Sequence, residues 1–98
     1  MSRSPGQFEV EWDEDKNKYN RKAHRVSFEE AATVFYDELA ITIDDPDHSI
    51  DERRFLIVGE SRAGHTLVVS YAEGSNRIRL ISARKPTRKE RKSYEESD

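Results

Sequence analysis

The chain first alternates in "QFEVEW", with Phe8, Val10 and Trp12 set against Gln7, Glu9 and Glu11. A period of two marks a half-buried strand. Asp13 then stands at a helix N-cap, and a polar helix runs to about His24. Acids open it and bases close it, as the macrodipole favours. Its apolar stripe is thin: Trp12, Tyr19 and Ala23. "SFEEAATVFYDEL" is a clearer helix. Ser27 and Glu30 predict a capping box, and Val26 with Ala31 a hydrophobic staple. Phe28, Ala31, Ala32, Phe35 and Leu39 recur at helical spacing, so this face is expected in the core.

Four apolar runs follow: "LAITI", "RRFLIVGES", "HTLVVSYA" and "RIRLISA". "DDPDHSIDE" is a polar loop, "SRAG" a tight turn with Gly64 available for positive φ, and "EGSN" a second turn. Short connections between β runs imply an antiparallel meander. Pro86 ends the last strand, and Thr87 with Glu90 opens a short helix by another capping box. The order β-α-α-β-β-β-β-α describes an α+β domain. Two N-terminal helices are expected to pack on one face of a twisted antiparallel sheet, with a short C-terminal helix after it. A single domain is expected over residues 1–98, flexible at 1–6 and 96–98.

Charge divides this pattern unevenly. Residues 1–60 carry net −7, residues 61–92 carry +7, and the last six carry −3. A polyanion on one side, or a partner of opposite sign, would explain that asymmetry; so would a solvated helix face. Hydrophobic content is 34% and charged content 38%, so much of the chain is surface or meets a charged partner. There are no cysteines, which excludes thiolate sites and fits a reducing cytoplasm. No run approaches a membrane span, and the N-terminus shows no signal-peptide h-region. His24, His48 and His65 lie far apart with no ligand spacing, so no metal site is expected. No phosphate-loop or dinucleotide fingerprint is present, and no cofactor is implied.

The basic segment is the candidate site. On a strand, Arg77 and Arg79 share one face while Ile78 and Leu80 share the other. Arg84 follows at the strand's end. The last helix adds Arg88, Lys89, Arg91 and Lys92, with Tyr94 beside them. Guanidinium forks match phosphate oxygens. No helix-turn-helix spacing supports groove reading, so single-stranded RNA on a sheet face fits better than DNA. RNA can also be cut without a cofactor, by its own 2′-hydroxyl. That needs charge stabilisation at phosphorus, a base, and an acid for the leaving oxygen. Arginines supply the first; His24, Glu90 and Tyr94 are candidates for the others. Each has a plain structural reading as well. His24 ends a helix, Glu90 caps one, and Tyr94 packs.

"WDEDKNKYN", "HRVSFEEAATVF", "DPDHS", "ERRF" and "RIRLISARKPTRKERKSYEE", in that order, resemble the BrnT toxins of type II toxin–antitoxin modules. The resemblance runs from about Phe8 to Glu96. It implies a RelE-like fold and a translation-halting ribonuclease. It also implies a BrnA-like ribbon-helix-helix antitoxin, a complex of two of each, and repression of the module's own operon. Matched positions are Trp12, Asp13, Lys16 and Asn20, then His24, Ser27 and Phe28. Arg54, Arg79 and Arg84 follow, then Glu90, Arg91 and Tyr94. On this reading His24, Arg54, Arg79, Arg84, Glu90 and Tyr94 carry catalysis. Lys16, Lys22, Arg77, Arg88 and Arg91 hold RNA. Two positions depart. Ala23 stands where the family commonly has Lys, with Lys22 alongside. Arg25 stands where glycine is frequent, at about 1 kcal/mol if the backbone there is left-handed. The alternative is a weak or inactive RNA- and antitoxin-binding module acting as co-repressor. Operator binding by this chain alone is a third reading.

Overall fold

The computed structural model describes residues 9–45 and 53–97. Phe8, the loop residues 46–52 with His48, and the expected flexible segment 1–6 lie outside them, as does Asp98. Of the expected flexible end, Glu96 and Ser97 hydrogen-bond back to Lys92 and Tyr94.

Strand β1 (Glu9–Glu11) precedes helix α1 (Glu14–His24) and helix α2 (Phe28–Ala32), which continues as a 3-10 turn, Thr33–Tyr36. Strands β2 (Ile41–Asp44), β3 (Arg54–Glu60), β4 (Thr66–Gly74) and β5 (Arg77–Arg84) follow, and helix α3 (Arg88–Glu95) ends the described chain. The sheet order is β1-β5-β4-β3-β2. The expected meander is present, antiparallel from β2 to β5. The expected antiparallel sheet gains one parallel edge, where β1 pairs with β5. A parallel pair needs a long crossover, and the intervening helices and meander supply one.

The caps explain where the helices start. Asp13 accepts the Asp15 N–H at 2.8 Å, and Thr87 with Glu90 completes both halves of a capping box. The predicted box at Ser27 is only half made. Ser27 accepts from the Glu30 N–H, but the Glu30 carboxylate turns away to Ser61 and His65. Helix α1 ends with Arg25 at φ 59°, the left-handed conformation glycine normally fills. Gly64 takes φ 85° in the β3–β4 turn, as expected.

The core lies between α2 and one sheet face, around Phe28, Ala31, Val34, Ile57, Leu67, Val69, Tyr71, Ile78 and Leu80. The apolar stripe expected on α1 is not its buried face. Tyr19 is 71% exposed and Ala23 is exposed; Asn17 and Asn20 are buried instead. Asn17 accepts the Phe28 N–H and so caps α2 from a distance. Asn20 accepts the Ala83 N–H and donates to the Ala83 carbonyl, pairing with β5 as a further strand would. A second departure is Leu39, which is 54% exposed while Val34 is fully buried. The Thr33 hydroxyl bonds back to the Glu30 carbonyl and the helix tightens to 3-10, so the i+11 position leaves the buried face. The turn packs closely on β3: a Cβ on Gly59 would lie 2.9 Å from Ala40 Cβ and Val34 Cγ1.

Candidate active site

The sheet face opposite the main core carries the basic residues. Strand pairing sets Arg54 of β3 against Ala72 of β4, and Ala72 against Arg79 of β5. Directly opposed residues share a face, so Arg54 and Arg79 stand in one row two strands apart. Simple alternation would send Arg84 to the other face, since it differs from Arg79 by an odd number. A bulge corrects this. Ser70 pairs with Ser82 but Tyr71 pairs with Leu80, leaving Ile81 as the extra residue. Arg84 thereby joins Arg79 and Arg54, opposite Val68.

Helix α3 fixes Arg84. Its guanidinium donates to both Glu90 oxygens, at 2.8 and 2.9 Å. Glu90 also accepts the Thr87 N–H, so one carboxylate caps the helix and holds the arginine. The Arg84 bond is the main reason the Glu90 carboxyl titrates at about 2 rather than 4.5, against an opposing push from burial. The same pair raises Arg84. Glu90 is therefore a standing carboxylate at neutral pH, suited to orienting Arg84 and unable to donate a proton.

Tyr94, one turn beyond Glu90, donates its hydroxyl to Asp37 at 2.6 Å. Burial pushes Asp37 up, but bonds from Tyr94 and from the Glu60 and Leu39 N–H groups outweigh it and hold the carboxyl low. Tyr94 thus ties α3 to the end of the 3-10 turn. His24 is exposed at the end of α1. It lies one turn beyond Asn20, which is bonded to Ala83, the residue before Arg84. Lys16 and Lys22 are exposed on α1, and Arg88 and Arg91 on α3. Arg77 meets Glu11 at 3.5 Å in an exposed pair of small energetic consequence.

The structure thus gathers Arg54, Arg79, Arg84 and Glu90 on one face and places His24, Lys16, Lys22 and Tyr94 on the surrounding helices. Sequence reasoning missed two polar residues on that face. Asp45 and Ser70 are 7% and 8% exposed, and the Ser70 hydroxyl donates to the Asp45 carboxylate at 3.2 Å. Asp45 was hidden in a polar loop pattern, and Ser70 in an apolar strand run. A second cluster joins Glu30, Ser61 and His65 at the β3–β4 turn, with Glu30 bonded to Ser61 Oγ at 2.6 Å and His65 Nδ1 at 2.7 Å. Among the described residues no group of three or more His, Asp or Glu is placed to hold a metal. No described helix is long and apolar enough to cross a membrane.

Guanidiniums gathered on one face, one of them held by a carboxylate, have the geometry and charge that suit phosphate oxygens. The family model for the ribonuclease toxin BrnT of type II toxin–antitoxin systems matches residues 12–90. The chain belongs to the BrnT family. The match spans α1 through the Glu90 that holds Arg84, so it covers the whole arginine face. A ribonuclease substrate class and an antitoxin partner come with that family. The fold agrees: the 1.1 Å crystal structure of the Brucella abortus ribonuclease toxin BrnT aligns at TM-score 0.63 and 19% identity, covering 83% of this chain and 99% of that one. No curated protein matches.

Proposed function

We propose that this BrnT-family chain is an endoribonuclease that cuts RNA without a metal, using the RNA's own 2′-hydroxyl as nucleophile. The observation that carries the reading is the bulged register that brings Arg84 onto the same face as Arg54 and Arg79. The three guanidiniums bind the scissile phosphate and stabilise the charge that grows on it. Glu90 orients Arg84. Glu90 is held ionised and the Tyr94 hydroxyl is donated to Asp37, so proton transfer falls to His24. Lys16, Lys22, Arg77, Arg88 and Arg91 steer the flanking backbone.

The product of this chemistry is a halt in translation in the cytoplasm. A BrnA-like ribbon-helix-helix antitoxin neutralises the toxin by covering the arginine face in a complex of two of each, which represses the module's operon. A second reading has its own observation: Ala23, beside His24, stands where the resemblance has Lys. On that reading the chain binds RNA and antitoxin but turns over slowly. Incubating purified protein with single-stranded RNA in EDTA separates the two. Cleavage fragments in EDTA are expected. No cleavage by the natural chain, with cleavage restored by Ala23→Lys, would favour the second reading. Cleavage that requires added metal would overturn the cofactor-free mechanism.

A further inference from the structure

Asp45 follows β2, and its N–H donates to the Arg54 carbonyl at 3.1 Å. It therefore continues the β2–β3 register opposite Arg54, with its side chain on the arginine face. Its carboxylate reaches over the sheet to Ser70 on β4. An acid that is 7% exposed stays charged only with cations or donors around it. Nearest it on that face stand the Ser70 and Ser82 hydroxyls and the Arg54, Arg79 and Arg84 guanidiniums, while Arg77 and Glu11 pair with each other at the β1 edge. Guanidiniums that share a face repel one another and splay unless an anion sits among them.

We propose that Asp45 is the positioning residue of this cluster: its buried carboxylate sets the directions of Arg54, Arg79 and Arg84 and limits how strongly they attract a resting phosphate. The inference rests on the reading of the face as an RNA phosphate site. With Asp45 and Glu90 present, these five groups keep a single surplus positive charge. A phosphodiester carries one negative charge, whereas the crowded intermediate of 2′-hydroxyl attack carries more. A partly neutralised but fixed arginine set therefore discriminates in favour of the transition state. Asp45 also contributes, after Glu90, to the raised Arg84.

The test is steady-state cleavage of a single-stranded RNA by the full chain and by Asp45→Asn, with equilibrium binding of the same RNA by fluorescence anisotropy. Asp45→Asn adds one positive charge and removes the anchor. KM and the dissociation constant are expected to fall by about fivefold, and kcat by about tenfold. A merely structural aspartate would instead weaken binding and turnover together, in step with loss of folded protein. Asp45→Glu keeps the charge but moves it by one methylene. It is expected to leave KM within about twofold while lowering kcat by about tenfold, and it serves if Asp45→Asn does not fold. Wild-type kcat in either folded variant, or weaker RNA binding by Asp45→Asn, overturns the proposal. If the natural chain does not cut RNA, the proposed activity fails. The binding arm still decides on Asp45, with tighter RNA binding by Asp45→Asn as support.

Discussion

Replacing Glu90 with Gln removes one charge and nothing of shape. The Arg84–Glu90 pair makes two short bonds, and Glu90 Oε1 also accepts the Thr87 N–H. The drop of its carboxyl from 4.5 to about 2 corresponds to about 3 kcal/mol at ~1.4 kcal/mol per unit. Solvent reaches both partners, whose side chains are 35% and 22% exposed, and screening reduces the figure to about 1–2 kcal/mol. The folded-state value is depressed, so this stability is fully present above the unfolded carboxyl range, near pH 4.5. It is lost as pH falls toward 2. Urea unfolding of the natural chain and Glu90→Gln should therefore differ by about 1–2 kcal/mol at pH 7. The difference should shrink between about pH 4.5 and pH 2 and vanish below. A gap that stays constant down to pH 2 would refute the electrostatic origin. No gap at pH 7 would show that the pair adds nothing to folding.

Arg25→Gly should stabilise the fold by about 1 kcal/mol, read as a rise in the thermal midpoint, because φ 59° costs an L side chain and not glycine. An unchanged or lower midpoint would show that the arginine side chain repays its backbone. Asn20→Ala strands the N–H and C=O of Ala83 and the carbonyl of Val26, at roughly 3 kcal/mol. Tyr19→Ala on the same helix should stay within about 0.5 kcal/mol in the same urea titration. Equal losses from the two would contradict the polar anchoring of α1.

The elements were legible because local physics decides them: the caps at Asp13 and Thr87, the apolar runs of β3 and β4, the alternation that opens β5, and Gly64 in its turn. The alternation also placed Arg77 and Arg79 away from Ile78 and Leu80, which are buried. What escaped the sequence depends on partners far along the chain. The bulge at Ile81 is a property of the β4–β5 pair, and without it Arg84 would face the core side. Asn17 and Asn20 look like solvated helix residues until Phe28 and Ala83 supply their bonds. Leu39 fits a helical stripe that Thr33 ends early. Glu30 fits a capping box, but Ser61 and His65 compete for its carboxylate and win.

The BrnT-family resemblance supplied the ribonuclease expectation, and the register gives it a surface. That surface is the claim to test. Purified natural chain, Arg79→Ala, Arg84→Ala and His24→Ala, each shown to be folded, are assayed on one single-stranded RNA in EDTA. The account predicts fragments from the natural chain, with cleavage reduced by about a hundredfold or more in each variant. Undiminished cleavage by folded Arg79→Ala and Arg84→Ala would contradict it, because the site would then lie elsewhere on the molecule.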